Sequence, residues 1–388
     1  MENKALIILD TTRDDYFDFS FDGLKRFKTF SPSFWTPPSH ASIFTGLYPS
    51  QHNVRESVEN KRDLSKYHLK EPRLLKEMSK DGYKLYALSA NPFITPPFGY
   101  RGWDYFKFFT PFSDYEEGEM EEYYEVWSQD NLMDEVKYLI KRGKIKLLYK
   151  KVNEFVSMKT KWKLLDPIDM GGGRLLKSLK KVKLEEPFFL FINLMESHDP
   201  NYRGEDYERD QGLSYLGMLD GKTMKKFRRG YERKVKRAQK YLGEILHYLR
   251  DFRVKLVVTS DHGQLLGEKG LIGHSYLTFE TVEVPVLIKE ECSGVINLTK
   301  LIQYFLNGEK PCSRYSISEM FALATPSPYK YGRKEDVMKW EKRLIAVSNG
   351  SSSIIYNPLR GVIEEYKGNE LEVKRLEEVA RNFHELNS

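Results

Sequence analysis

Several stretches of the sequence end in side chains able to do acid, base or metal chemistry. LIILD closes on Asp10, FFLFINLMESHDP on His198, and LVVTSDHG on Asp261 and His262, with His274 a short loop further on. FWTPPSHASIF places Thr36, Ser39 and His40 within five positions. Each taken alone has a plain structural reading. Asp10 can cap a helix, His198 can sit in a turn, and Asp261 with Gly263 can close a strand. TPPSH can be a proline-stiffened turn in which Ser39 caps a helix running through Ile43 and Phe44. A hydroxyl at a helix start is a nucleophile only when something takes its proton or lowers its pKa. Asp10, Asp261 and His262, together with the Thr36 hydroxyl, make a compact set of ligands with an open position, suited to zinc or manganese. Held there, Thr36 Oγ would act as an alkoxide-like nucleophile near neutral pH, and the helix N-terminus would help hold a tetrahedral anion. The chemistry implied is in-line displacement at a phosphate or sulfate ester.

Such residues have to be delivered by strands. Ala5–Leu9 reads as a buried strand, LLKEMSKDGYKLYALSAN as a helix, a turn at Gly82 and a strand over Lys84–Ser89, and PFFLFINL and VKLVVTSD as further strands. Between the last two, YERKVKRAQKYLGEILHYLRD carries Val235, Ala238, Leu242, Ile245 and Leu249 on one helical stripe. This alternation predicts an α/β fold with a largely parallel sheet covered by helices on both faces, with ligands bound beyond the carboxyl ends of the strands.

The chain has 388 residues, 40% of them hydrophobic, enough for one large core. Two cysteines, Cys292 and Cys312, with no metal-ligand spacing, read as buried or free thiols in a reducing compartment. No basic, apolar leader precedes Ala5 and no run of about 18 apolar residues occurs, so a soluble, cytoplasmic protein is expected. The net charge of +6 is uneven: 114–125 is acidic, whereas 137–183 holds 15 Lys/Arg against 3 Asp/Glu. Apolar residues recur there at helical spacing, which reads as a basic helical insertion over about 130–183 with a solvated face. Contact with a polyanion or a peripheral membrane surface is the sharper alternative; the lack of aromatic interleaving sets nucleic acid aside.

LIILDTTRDDYF, TPPSHASIFTGLYP, FFLFINLMESHDPNY, VVTSDHGQLLGEKGLIGHSY and VEVPVLIK together resemble, in order and character, the sulfatase branch of the alkaline phosphatase superfamily, over about Leu6 to Lys289. RLIAVSNGSSSIIYNPLRGVIEEY is a weaker echo of that family's C-terminal antiparallel subdomain. The resemblance implies an alkaline-phosphatase-like catalytic domain over 1–330 and a small α+β subdomain over 331–388. It implies Asp10, Thr36, Asp261 and His262 at the metal, with Thr36 also the nucleophile. His198 and His274 fall where the family contacts ester oxygens or protonates the leaving group, and His40 where many sulfatases have arginine. Asn91 and Ser39 are implied as substrate contacts, Asn91 at the pocket rim.

The departures bear on the reaction. True sulfatases carry a cysteine or serine that is oxidised to formylglycine; Thr36 cannot give that aldehyde. It is similar instead to the phosphoethanolamine and phosphoglycerol transferases, which use an unmodified threonine. Thr11 stands where sulfatases have a second aspartate, which favours manganese or zinc over calcium or magnesium. The reading is a metal-dependent hydrolase or transferase of an anionic phosphate ester through a covalent threonine, with sulfate esters the close rival. An assignment of Ser39 as nucleophile, and a non-catalytic polyanion-binding protein using the basic insertion, are the alternatives.

Overall fold

The computed structural model describes residues 1–59, 61, 63–127, 132–160, 169–201 and 205–387. Its frame is an eight-stranded sheet. Strand β1 (Asn3–Leu9) is buried along its whole length, as a continuous apolar run requires when both faces are covered. Along the chain follow β2 (Lys25–Phe30), β3 (Lys84–Ser89), β4 (Tyr105–Phe109), β5 (Asp114–Glu116), β6 (Phe188–Leu194) and β7 (Val254–Thr259). A two-strand ribbon, β8 (Leu265–Leu266) with β9 (Ile272–Gly273), precedes β10 (Glu283–Ile288). The sheet order is β2-β10-β7-β1-β6-β3-β4-β5. β7, β1, β6, β3 and β4 run parallel, and β10 and β5 are antiparallel to their neighbours. The edge strand β2 carries Lys25, Arg26 and Lys28, which guard its free side against pairing with another chain.

Alternation along β1 feeds two cores. Leu6 and Ile8 face a layer holding α1 (Thr36–Thr45), followed by α2 (Pro49–His52), and α3 (Arg73–Lys80). Ala5, Ile7 and Leu9 face the opposite layer. Helices α4 (Met120–Trp127), α5 (Leu132–Lys141) and α6 (Ile145–Thr160) come next in the chain, then α7 (Gly172–Leu179), α8 (Tyr207–Tyr215) and the 29-residue α9 (Gly221–Leu249). The second layer is α7 and α9: Leu175, Leu176 and Leu179 pack with Leu242, Ile245 and Leu249. The mostly parallel, doubly covered sheet is the one expected.

Three features differ from expectation. The basic stretch is not one solvated insertion, because α7 within it buries a leucine stripe in the main core; positions 130, 131 and 161–168 of that expected insertion lie outside the described residues. The small antiparallel sheet, β11 (Val295–Ile296) and β12 (Cys312–Ser313) aside, runs β13 (Ser316–Met320), β14 (Leu344–Ser348), β15 (Ser353–Asn357) and β16 (Val362–Lys367), so its first strand lies ahead of residue 331. The helix Glu370–Asn387 covers it through Val373, Leu376 and Ala380. Cys292 and Cys312 are bonded to each other rather than free. The pairing of β11 with β12 brings their Cα atoms to 5.5 Å, which a spacing of 20 residues does not reveal.

Candidate active site

Asp10 follows β1, Asn91 follows β3, His198 follows β6 and Asp261 follows β7, so neighbouring parallel strands deliver four polar residues to one edge. The turn after β1 is sharp. Thr11 adopts φ 57°, a left-handed conformation costly for a β-branched residue. The turn aims the Thr11 N–H at Asp261 Oδ1, 3.2 Å away, and Tyr231 Oη donates to the Thr11 carbonyl at 2.7 Å.

Helix α1 begins at Thr36, three residues ahead of the expected Ser39 cap, with extended Trp35 as its N-cap. Pro37 and Pro38 occupy the first turn, where a missing N–H costs nothing. They also remove two of the donors that a helix terminus normally offers an anion, so positive charge must come from elsewhere. Trp35 is held by its indole N–H, which donates to buried Glu56 at 2.9 Å; the other Glu56 oxygen accepts from the Phe321 backbone.

Thr36 Oγ1 lies 3.1 Å from His262 Nε2. His262 Nδ1 lies 2.9 Å from the Gly263 carbonyl, an acceptor only, so Nδ1 carries the proton and Nε2 presents a lone pair. Nε2 stands 3.4 Å from Asp261 Oδ2 and 3.9 Å from Asp10 Oδ1. Asn91 Nδ2 donates to Asp10 Oδ2 at 2.6 Å and reaches Thr36 Oγ1 at 3.5 Å. Donor atoms of Asp10, Asp261 and His262 all lie within 4.8 Å of one another. Asp10 Oδ1 and Asp261 Oδ2 are buried without a hydrogen-bond donor of suitable geometry among the described residues. Burial, then the facing Asp261 charge, pushes Asp10 up to about 8, and burial pushes Asp261 up to about 7. Two buried carboxylates with bare oxygens beside a neutral imidazole are a donor set that a divalent cation fits. Burial holds His262 below its ordinary value, leaving that lone pair available.

Beside this set, His198 and His274 stack edge to face, their ring centres 4.9 Å apart, and His274 is 4.6 Å from His262. His274 Nδ1 lies 2.7 Å from Gln264 Oε1, which fixes the ring with its proton on Nδ1. Gln264 also donates to Asp199 Oδ1 at 2.8 Å, and Asn201 donates to the same oxygen at 2.7 Å. Burial depresses both histidines, His198 to about 3 and His274 well below its usual value; the neighbouring imidazoles, and for His198 also Lys234, oppose a further positive charge there. An anion bound between them would reverse that shift.

The expected residues therefore converge, but three take different places. Ser39 is wholly buried; its hydroxyl donates to the Asp261 carbonyl at 2.7 Å and lies 3.1 Å from the Ser33 carbonyl, so it ties α1 to the Asp261–His262 loop and is free neither for substrate nor for attack. Both nitrogens of buried His40 face protein: Nδ1 is 3.2 Å from the Thr36 carbonyl and 3.4 Å from Asp261 Oδ2, and Nε2 is 3.2 Å from Asn193 Nδ2. That ring is held among protein groups instead of meeting ester oxygens. Asn91 is buried beside Asp10 and Thr36, not at the rim. Trp103 stacks on Phe189 and Phe191 in the core.

Asn193, Asp199, Gln264 and Lys234 were not expected. Lys234 is buried on α9 and donates to the carbonyls of His198 and, at 2.9 Å, Pro200, holding the His198 loop from beneath. Its signal is visible only in hindsight of the helix: Phe227, Tyr231, Lys234 and Ala238 share one apolar stripe.

Residues 6–290 match the family model described as Sulfatase. No curated protein sequence matches the chain. Among solved structures, a presumed sulfatase from Bacteroides thetaiotaomicron is 14% identical with a TM-score of 0.55, covering 98% of this chain and 87% of its own. Phosphonate monoester hydrolases from Agrobacterium radiobacter and Silicibacter pomeroyi give TM-scores of 0.52 and 0.53 at 14% and 15% identity, each covering 92% of this chain and 87% of its own. No helix of the described residues is long and apolar enough to cross a membrane. The chain belongs to the sulfatase family and is an ester hydrolase of the alkaline phosphatase superfamily.

Proposed function

We propose that the protein cleaves phosphate esters through a covalent threonine intermediate, with sulfate esters as the rival substrate class. The observation that carries this reading is Thr36 Oγ1, at the start of α1 and 3.1 Å from His262 Nε2, inside the group formed by Asp10, Asp261 and His262. These four residues would hold one divalent ion, manganese or zinc by the mixture of carboxylate, hydroxyl and imidazole donors. When bound, the ion would supply the charge that lets the Thr36 hydroxyl lose its proton near neutral pH and offsets the charge on the ester oxygens.

The chain does the rest. Thr36 Oγ attacks phosphorus while the bond to the leaving alcohol breaks in line, leaving phosphothreonine. Asn91 Nδ2 steadies Thr36 Oγ through its 3.5 Å approach. Protonated in the presence of the anionic ester, His274 or His198 gives its proton to the departing oxygen; the neutral ring then takes a proton from the water that displaces Thr36. An acceptor alcohol in place of water would make the same chemistry a transfer.

The test is a set of initial rates, with manganese or zinc present, for wild type and Thr36→Ala on an aryl phosphate monoester, an aryl phosphodiester and an aryl sulfate. Thr36-dependent phosphate turnover supports the proposal. Turnover of the sulfate alone would move the reaction to sulfur, and phosphate turnover undiminished in Thr36→Ala would remove threonine from the chemistry.

A further inference from the structure

Helices α5 and α6, joined by a turn at Gly143 with φ 67°, form a hairpin that buries only part of its apolar surface. On α6, Leu147 goes inward while Ile145, Tyr149, Val152 and Val156 point out at i, i+4, i+7 and i+11, a continuous stripe along one side of the helix. On α5, Leu139 goes inward while Met133 and Ile140 point out, seven positions apart on one side. These six outward side chains are 42 to 74% exposed. Scattered surface apolar residues need no explanation, but two adjacent helices each turning a stripe to solvent do.

The charges around the stripes narrow what can cover them. Residues 132–160 contain eight Lys/Arg and three Asp/Glu. Lys144, Lys146 and Lys150 pair with Glu122 and Glu119 on the adjoining segment, two carboxylates that offset most of that group. Exposed Lys141 and Arg142 remain on the outward side, among Met133, Ile140 and Ile145, beside Lys137, which is 70% exposed and pairs at 3.4 Å with Asp134, itself 44% exposed. A second copy of the same face would set like charges against each other. A nucleic acid or sulfated polymer would meet the cations and leave the apolar stripes with nothing to bury them. An anionic bilayer satisfies both, since acyl chains take Ile, Val, Met and the Tyr ring while headgroups meet lysine and arginine.

The hairpin stands on the edge of the sheet that holds the site. Tyr124 of α4 donates to the Pro92 carbonyl, one residue beyond Asn91, and packs on Phe98 with ring centres 5.0 Å apart. Glu154 of α6 accepts from Thr110, the residue after β4. We infer that the outward face of the α5–α6 hairpin docks the enzyme on an anionic membrane surface, with the active-site edge of the sheet held beside it. The docking does not depend on which ester is cleaved.

Sedimentation with vesicles tests this, using phosphatidylcholine alone and phosphatidylcholine with a quarter phosphatidylglycerol, at low salt. Wild type is expected to sediment with the anionic vesicles and weaken as salt rises. The triple variant Ile145→Ser, Tyr149→Ser, Val152→Ser should bind at least about tenfold more weakly, and Lys137→Glu, Lys141→Glu, Arg142→Glu should lose the preference for anionic lipid. Both variants should keep wild-type turnover of a soluble aryl ester, which shows that the fold is intact. Wild type left in the supernatant with anionic vesicles, serine-variant binding equal to wild type, or a wild-type dimer that the serine variant dissolves would each overturn the inference.

Discussion

The bare carboxylate oxygens of Asp10 and Asp261 make a quantitative prediction about cation binding and pH. Without the ion, Asp10 keeps its proton up to about 8 and Asp261 up to about 7, whereas in the unfolded chain both ionise near 3.8. A raised carboxyl pKa means that the folded, ion-free protein binds more protons than the unfolded chain, so this pair's contribution to stability falls as pH rises toward 8. Buried histidines push the other way: burial holds His40 and His198 at about 3, so their contribution grows as pH rises from 3 to 6.5. The useful quantity is therefore the difference between cation-loaded and ion-free protein at one pH. Binding displaces about two protons from the two carboxyls between pH 6 and 7 and about one between 7 and 8. At about 1.4 kcal/mol per proton per pH unit, stabilisation by a fixed excess of Mn²⁺ should grow by at most about 4 kcal/mol from pH 6 to pH 8. For 388 residues an unfolding entropy of about 0.8 kcal/mol per degree turns this into about 5 °C. Thermal melts in Mn²⁺ and in EDTA at the two pH values measure it. A cation effect that is equal at both, or smaller at pH 8, would refute the reasoning, and Asp10→Asn should flatten the pH dependence.

Thr36→Ser should retain turnover that Thr36→Ala loses by about a thousandfold or more, read in initial rates on the preferred aryl ester. Gln264→Leu removes the partner that fixes His274 and should lower kcat by about 10–100-fold with KM little changed, as steady-state kinetics would show. Lys234→Met leaves Glu196 and Asp199 without the buried cation that faces them and should cost about 3–5 kcal/mol in thermal unfolding. Elemental analysis of protein saturated with Mn²⁺ and desalted should give one ion per chain; two would reassign His198, Asp199 and His274, whose donor atoms also lie within 4.8 Å of one another, as ligands.

Much of this was legible because apolar runs in a parallel sheet end where chemistry begins. Asp10, His198 and Asp261 could be picked out as reactive residues just beyond buried strands, and the strands themselves were long and apolar enough to read. What burial does to a side chain was not legible. Ser39 and His40 sit beside Thr36 in sequence, yet the turn of α1 sends them behind the Thr36 hydroxyl, where Ser39 pegs the Asp261 backbone and His40 fills the space between Asp261 and Asn193. Gln264 and Asn193 are single amides with no spacing signature, and their roles come from strand register. β2 escaped notice because KRFKTF is short, basic and at an edge, where pairing with β10 and not composition makes it a strand. The link between Cys292 and Cys312 depends on a two-residue ribbon that composition does not mark.

The sheet order also governs when the active site can exist. β1 is synthesised first, yet both its neighbours, β6 and β7, arrive some 180 and 250 residues later. Until then a strand apolar from Ala5 to Leu9 has neither partner, and Asp10 faces no second carboxylate. Trp35 waits longer still, because the Glu56 that holds it is itself anchored on the backbone of Phe321. The contacts that bring the site together, Thr36 with His262, Asn91 with Asp10 and Thr11 with Asp261, join residues far apart in the chain, the pattern of slow, late assembly with a vulnerable intermediate. A ribosome-bound chain that has not yet released its last strands should therefore be catalytically silent, and activity should appear abruptly near completion instead of accruing as segments fold.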